Sequence, residues 1–217
     1  MFGMGKKKPT LTVHHLNESR SQRVLWMLEE LGLDYELMKH QRDPQTRLAP
    51  PELKAVHPLG KSPVIVDKGR TINESAAILD YLVRRYGKGR FAPAHDTAAY
   101  DDYVMWLNYA EGSAMLPLML QLYVGRLGEA GAPLHPRIQS EIANHLGYID
   151  QHLAARSFLV GDSLTAADVQ MSFVLEAARA FGLLQAYPNA SAYLDRLHAR
   201  PAYAKAIEKG GAYSFGR

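Results

Sequence analysis

The chain has 217 residues, of which 47% are hydrophobic and 22% are charged, and its formal net charge is +3. This length allows one or two globular domains with a substantial core. So small a charge argues against nucleic-acid binding, and the longest basic run, Lys6-Lys7-Lys8, has no aromatic residues among its lysines. No apolar run approaches the roughly 20 residues that span a bilayer, and the N-terminus lacks a signal-peptide core. We therefore expect a cytoplasmic protein without a membrane or nucleic-acid partner.

The chain contains no cysteine. Disulfides, thiolate metal sites and a cysteine nucleophile are therefore excluded. If this protein carries out thiol chemistry, the thiol must belong to a ligand.

A β-α-β unit is predicted near the start of the chain. Leu11 to Leu16 reads as a short strand, and the helix that follows has its apolar residues at helical spacing and ends at Gly32. Residues Asp34 to Lys39 suit a second strand. The two strands of such a unit run parallel.

A hairpin and a helix follow the irregular segment 40–58. The apolar run Val64 to Val66, a turn and the pair Thr71-Ile72 predict two short strands. A helix then opens at Asn73-Glu74-Ser75 and closes near Tyr86. The first half is therefore predicted to be an α/β domain, a four-stranded mixed sheet with helices on its faces.

The second half is predicted to be entirely helical. Residues 87–95 have the composition of a linker, so we expect domains at 1–86 and 96–217. Asp96 to Leu127 is one long helical pattern that Pro117 should kink, and it is followed by a Gly/Pro loop at 128–136. Further helical patterns cover 136–155, 165–181, 191–199 and 201–209.

One helix of the second half carries a clear start signal. Thr165 and Asp168 fit a capping box, in which each side chain bonds the backbone N–H of the other residue. We interpret this pair as structural, because a buried helix start needs its N–H groups satisfied.

The dipeptide Ser62-Pro63 allows two interpretations. It is either an ordinary proline at the start of an edge strand or a cis peptide bond, which is rare and usually specific. A cis bond would leave the N–H and C=O of Ser62 facing outward, where an extended peptide can pair with them.

The helix start at Asn73-Glu74-Ser75 also has two interpretations. Asn73 or Ser75 is a simple cap, or the free N–H groups and the helix dipole bind a ligand carboxylate with help from the Ser75 hydroxyl. In the second case the Glu74 carboxylate would form an ion pair with a ligand ammonium group.

The turn before the first helix offers several polar side chains. Ser19 is either an N-cap or a hydroxyl that donates to a ligand thiolate, whose pKa a helix N-terminus or a nearby cation lowers. Arg20 and Arg23 are such cations. Asn17 and Ser21 are competing donors within the same turn.

Several basic residues are candidates for a second ligand carboxylate. Lys61, His57 and His40 each fit this role, and each fits equally well as a surface residue. The neighbours His14 and His15 point to opposite faces of a strand and cannot chelate a metal together. We expect no metal site.

At this point the patterns converge on one family. The chain resembles a cytosolic glutathione S-transferase with a thioredoxin-like N-terminal domain, over almost its full length. The resemblance is closest to bacterial and fungal transferases with a serine or asparagine turn rather than a tyrosine or cysteine. The matching segments are the Ser19 turn with SQRVLWMLEELGLDYE, then VHPLGKSPVIVDKGRTINESAAILDYLVRRYG, and GDSLTAADV.

The resemblance implies a site for glutathione as co-substrate. The cysteinyl backbone would pair with Ser62 beside cis-Pro63, and the γ-glutamyl end would meet Glu74 and Ser75. The glycyl carboxylate would approach Lys61, with His40 or His57. The sulfur would lie near Ser19, with Asn17 and Ser21 as alternates.

The resemblance also implies a second substrate and a second subunit. A hydrophobic electrophile would lie between the domains, against the helix residues Trp106, Tyr109, Met115 and Tyr123, which are otherwise plain core. Family members form two-fold dimers, so we expect a homodimer.

Two functions follow from the resemblance. The leading one is a transferase that activates the glutathione thiolate, with peroxidase activity on organic hydroperoxides as a variant. The alternative is a transferase-like protein that binds glutathione or regulates a partner without turnover.

Overall fold

A computed structural model describes residues 10–216, so the basic run at Lys6-Lys7-Lys8 and the terminal Arg217 lie outside the described residues. Four strands form one sheet in the order β2-β1-β3-β4. Strand β1 pairs parallel with β2 and antiparallel with β3, and β3 pairs antiparallel with β4. The predicted mixed sheet is confirmed. The strands are β1 (Leu11–Leu16), β2 (Glu36–His40), β3 (Val64–Asp67) and β4 (Arg70–Asn73).

Helices cover the sheet and form the rest of the described chain. The α-helices are α1 (Ser21–Leu31), α2 (Glu52–Val56), α3 (Ser75–Tyr86), α4 (Ala98–Tyr109), α5 (Met115–Gly125), α6 (His135–Leu153), α7 (Ala166–Ala180), α8 (Pro188–His198) and α9 (Pro201–Gly210). Short 3₁₀ helices occupy Gly128–Leu134, Leu184–Ala186 and Ser214–Gly216. Within residues 10–216, no helix combines the length and apolarity needed to cross a bilayer.

The long helical pattern at 96–127 is divided rather than simply kinked. A π-helical turn, Ala110–Ala114, separates α4 from α5. Pro117 has no N–H for the carbonyl of Ser113, and its ring crowds that carbonyl, so the wider turn just before it relieves the clash. The segment 128–136, predicted as a loop, contains a 3₁₀ helix instead.

Helix α1 joins the two halves of the molecule. It packs against α3 on the sheet side and against α7 and α9 of the helical half, and Trp26, Met27 and Leu28 are almost fully buried. Arg200 adds two hydrogen bonds to the carboxylate of Glu30, at 2.6 and 2.9 Å. Any site between the halves is therefore held on a well-packed frame.

The capping box at the start of α7 is confirmed. The Asp168 carboxylate accepts from the Thr165 N–H at 2.7 Å, and it also accepts from Leu159 N–H and the Tyr193 hydroxyl. Burial raises the pKa of Asp168, and these hydrogen bonds oppose the rise. Asp168 thus ties α7 to α8 and to the segment before it, as a structural residue.

Candidate functional site

A polar cavity of about 240 Å³ opens where β3, α3 and the turn before α1 meet. We call it the clamp cavity. Six of the seven residues predicted to bind glutathione line it, all except His40: His57, Lys61, Ser62, Pro63, Glu74 and Ser75. Arg20, Leu59, Asn73 and Glu111 complete its wall. Residues from distant parts of the chain therefore meet at one ligand-sized space.

The Ser62-Pro63 peptide bond on one side of the clamp cavity is cis, as predicted. The Ser62 hydroxyl donates to the His14 carbonyl at 2.9 Å and accepts from the Leu16 N–H at 3.2 Å, so its side chain is tied to β1. In the described part of the chain, the backbone N–H and C=O of Ser62 bond no other residue. Both groups are available to an extended ligand.

The opposite side of the clamp cavity is the start of α3. Glu74 has φ +66° and ψ 119°, a backbone conformation that non-glycine residues rarely adopt, and such residues cluster at functional sites. No side chain caps the helix. The first N–H groups of α3 are therefore free for a ligand anion, and Glu74 is exposed beside them.

Ser75 is held by a buried network. Its Oγ accepts from Arg23 Nη2 at 2.9 Å and from Gln170 Nε2 at 3.3 Å. Because both neighbours are donors, the hydroxyl proton of Ser75 is left for a ligand acceptor. Arg23 also donates to Glu111 Oε1 at 2.6 Å and to the Gln170 carbonyl at 2.6 Å.

Glu111, on the π-helical turn, forms ion pairs with two arginines. Its Oε1 accepts from Arg20 Nε at 2.8 Å as well as from Arg23. Burial alone would raise the pKa of Glu111, but Arg23 and Arg20 hold that pKa below its usual range. The wall of the clamp cavity thus carries an ionised carboxylate and the Arg20 guanidinium, and the buried Arg23 guanidinium bonds the same carboxylate.

The turn before α1 places its three polar candidates differently. Ser19 lines the adjoining cavity described below, and its Oγ donates to the Leu16 carbonyl at 2.7 Å. Ser21 is fully buried and lies 2.8 Å from both Ser19 Oγ and His15 Nδ1. The Asn17 amide oxygen accepts from the Arg42 N–H at 2.8 Å and lines neither cavity.

His15 beneath this turn gives a testable pH dependence. Burial, with a contribution from Lys39, lowers its pKa from 6.5 to about 4. The unfolded chain therefore binds a proton between these values that the folded protein does not. The stability that neutral His15 contributes is complete above pH 6.5 and is lost as the pH falls towards 4.

We expect this loss to be about 2 kcal/mol when the pH falls from ~7 to ~4.5. Denaturant unfolding of the native protein and of His15→Gln, each near pH ~7 and pH ~4.5, measures it. The native protein should lose about 2 kcal/mol more than the variant on acidification, since the other titrating groups are common to both. Equal losses in the two proteins would contradict the expectation.

A second cavity, of about 470 Å³, adjoins the clamp cavity, and Arg20, Lys61 and Ser62 line both. We call it the adjoining cavity. Two of the predicted electrophile residues, Met115 and Tyr123, line it. Trp106 and Tyr109 do not: Trp106 is 1% exposed and stacks on Tyr148, and the Tyr109 hydroxyl bonds His145 Nδ1 at 2.7 Å.

The C-terminal segment closes part of the adjoining cavity. Ser214 and Phe215 line it, and the Ser214 N–H and hydroxyl donate to the Glu18 carboxylate. Tyr213 anchors the segment, because its hydroxyl donates to buried Glu176 at 2.5 Å. Nothing in the sequence pattern of this segment marked it as part of a site.

His40 has a different position from the one expected. It lines neither cavity and instead stacks on His14, with His14 Nδ1 and His40 Nε2 3.1 Å apart. Between Thr10 and Gly216, no three histidine, aspartate or glutamate side chains gather at one point as metal ligands do.

Comparisons with known proteins agree with this geometry. Models named "Glutathione S-transferase, N-terminal domain" and "Glutathione S-transferase, C-terminal domain" match residues 19–85 and 132–196. Glutathione S-transferase 3 of Schizosaccharomyces pombe is 37% identical over 214 residues, which cover 92% of this chain and 87% of that protein. The chain belongs to the glutathione S-transferase family. The predicted family and the thioredoxin-like fold are confirmed.

Other members of the glutathione S-transferase family cover nearly the whole chain. Glutathione S-transferase 1 of Saccharomyces cerevisiae is 30% identical over 227 residues, covering 94% of this chain and 97% of that protein. A glutathione S-transferase structure from Actinobacillus pleuropneumoniae has a TM-score of 0.86 at 36% identity, covering 95% and 96% of the two chains. A transferase from Phanerochaete chrysosporium, solved with oxidized glutathione, has a TM-score of 0.78 at 26% identity, covering 93% and 96%.

Proposed function

We propose that this chain is a glutathione transferase that binds glutathione in the clamp cavity and directs its thiolate onto an electrophile in the adjoining cavity. The observation that carries this proposal is the junction of the two cavities. Arg20, Lys61 and Ser62 line both, and Ser19 lies beside them on the adjoining cavity. A sulfur held at that junction has access to a second substrate.

In this proposal glutathione extends across the clamp cavity. Its cysteinyl backbone pairs with the free N–H and C=O of Ser62, as a strand pairs with a sheet edge. Its γ-glutamyl carboxylate accepts hydrogen bonds from the first N–H groups of α3 and from the Ser75 hydroxyl. The Glu74 carboxylate pairs with its ammonium group. The glycyl carboxylate lies near Lys61 and His57.

Ser19 is the proposed donor to the sulfur. Among the three candidates of the turn, it is the one that lines the adjoining cavity. Its proton, which bonds the Leu16 carbonyl at 2.7 Å, would turn towards a bound thiolate. A hydrogen bond to an ionised acceptor contributes about 1.5–3 kcal/mol, which lowers the thiol pKa by about one to two units.

The remaining expectations of the family extend this proposal. The electrophile packs against Met115 and Tyr123, and organic hydroperoxides are a substrate class that needs the same thiolate. A homodimer is the proposed assembly, since Val104 and Met105 on α4 are both 38% exposed and apolar. The domain limits at 86 and 96 and a cytoplasmic location stay predictions.

The proposed function is tested by binding and by titration of the bound thiol. We expect the protein to be retained on immobilised glutathione. Ultraviolet titration of the thiolate should give a pKa at least ~1 unit below the roughly 8.5 of a free thiol. Failure to bind would contradict the proposal. Binding without a lowered thiol pKa would favour a protein that holds glutathione without turnover.

A further inference from the structure

The adjoining cavity has a strongly basic wall. Five lining residues are cationic and one is acidic. The cations are Arg20, Arg42, Lys61, Arg47 and Arg126, and the acid is Glu18. These residues come from four separate segments: the turn before α1, the loop after β2, the position before Ser62 and the end of α5. No sequence motif groups them.

Most of this positive charge is not neutralised by the protein. Arg20 is paired with Glu111. Arg42 donates to the backbone carbonyls of Asn17, Glu18 and Arg47, at 2.9 to 3.2 Å, and to no carboxylate. In the described part of the chain, the side chains of Arg47, Lys61 and Arg126 make no hydrogen bond or ion pair, and the Glu18 carboxylate is held by Ser214.

The same cavity also has a large apolar lining. It is formed by side chains of α5, α7 and the C-terminal segment, including Met115, Leu118, Met119, Leu122, Phe173 and Phe215. A purely hydrophobic substrate that covered these cations would remove their water without giving them a partner, whereas a purely ionic one would leave the apolar side chains exposed to water. The cationic and apolar residues together fit an amphipathic anion.

We propose that the preferred electrophile is an apolar molecule that carries a carboxylate, with Arg47 and Arg126 as the residues that select for it. This inference rests on the proposed transferase function and narrows its substrate class. Two arginines suit the role because the planar guanidinium group binds a carboxylate through two parallel hydrogen bonds. Lys61 keeps its proposed role of binding the glycyl carboxylate of glutathione.

A matched pair of chalcones tests the selection. One has a carboxylate at the para position of the ring distant from the reacting carbon, and the other has a neutral carboxamide there. In both, the glutathione sulfur forms a bond to the β-carbon of the enone. The electron pair of the double bond moves to the enolate, which takes up a proton, and no group leaves. Each enzymatic rate is divided by the uncatalysed rate of the same chalcone.

We expect kcat/KM for the carboxylate to exceed that for the carboxamide by at least ~5-fold at low salt, and the ratio to fall as salt is added. Arg126→Gln and Arg47→Gln should each reduce this ratio at least ~2-fold. Arg137→Gln is the matched control, because Arg137 lies on α6 away from both cavities and pairs with Glu141.

The outcomes separate this inference from the transferase function itself. Equal kcat/KM values for the two chalcones would overturn the inference and leave the transferase function intact. A raised KM for glutathione in Arg47→Gln and Arg126→Gln, with an unchanged ratio, would overturn it too, since the arginines would then serve glutathione. Binding of the two saturated, unreactive analogues, measured by calorimetry, gives the same comparison without turnover, and equal affinities would again overturn the inference.

Discussion

Replacing Ser19 by alanine is expected to lower kcat by at least ~10-fold, because the bound thiolate loses a hydrogen bond of about 1.5–3 kcal/mol. The pKa of the bound thiol should rise by about one to two units. The affinity for glutathione should change little, since its proposed contacts with Ser62, Glu74 and Ser75 remain. Thiolate absorbance titration and steady-state kinetics on one protein sample measure all three effects.

Asn17→Ala and Ser21→Ala are the matched controls for Ser19. Asn17 bonds the backbone of Arg42, and Ser21 is fully buried beside His15, so neither is expected to touch the sulfur. Each control should retain a lowered thiol pKa, although Ser21→Ala is expected to reduce stability. An unchanged thiol pKa in Ser19→Ala, with a raised pKa in either control, would transfer the role to that residue.

Replacing Arg23 by methionine is expected to have the largest effect on stability. The Arg23 guanidinium is 1% exposed and bonds three groups: Ser75 Oγ, Glu111 Oε1 and the Gln170 carbonyl. Burial lowers the pKa of Arg23, and the Glu111 carboxylate opposes this shift. Removing one partner of a buried charge pair costs about 3–5 kcal/mol. Denaturant unfolding should show a loss of about 2–3 kcal/mol, below most of that range because Glu111 is partly exposed and keeps Arg20.

Arg23→Met should also weaken the binding of glutathione in the clamp cavity. Without Arg23 the Ser75 hydroxyl loses the donor that orients it, so the affinity for glutathione should fall by about 5-fold, equivalent to about 1 kcal/mol. Arg200→Met is the matched control, because Arg200 also joins the two halves, through Glu30, but lies on neither cavity. If both variants bound glutathione equally well, Arg23 would be structural only.

Many residues that line the clamp cavity could be named in advance, because local signals marked them as candidates and the family resemblance chose between their two interpretations. Ser62-Pro63 and Asn73-Glu74-Ser75 lie within one short stretch, and the strand, turn and helix patterns around them place both at the same end of the sheet. The candidates at the catalytic turn were less well determined. Asn17, Ser19 and Ser21 are all polar, and only burial and hydrogen-bond partners distinguish them.

The second substrate site could not be predicted in the same way. Trp106 and Tyr109 have the right residue types, but the rotation of α4 turns them towards Tyr148 and His145. Residues Arg47, Arg126 and Phe215 do line the adjoining cavity, although they carry no common motif. The rotation of each helix depends on the summed packing of all its neighbours, which no local pattern contains.

Periodicity and capping within short segments were enough to predict the mixed sheet and the helical second half. The cis proline and the proposed glutathione-binding residues were implied by the resemblance to glutathione S-transferases, which the segments around Ser19, Ser62 and Glu74 carry. Three features could be seen only in the folded chain: Arg23 bonds Ser75, Glu111 pairs with two arginines, and cationic and apolar residues line one cavity. Each of these depends on residues far apart in the chain, such as Arg23 and Glu111, 88 positions apart, which meet only when the two halves pack.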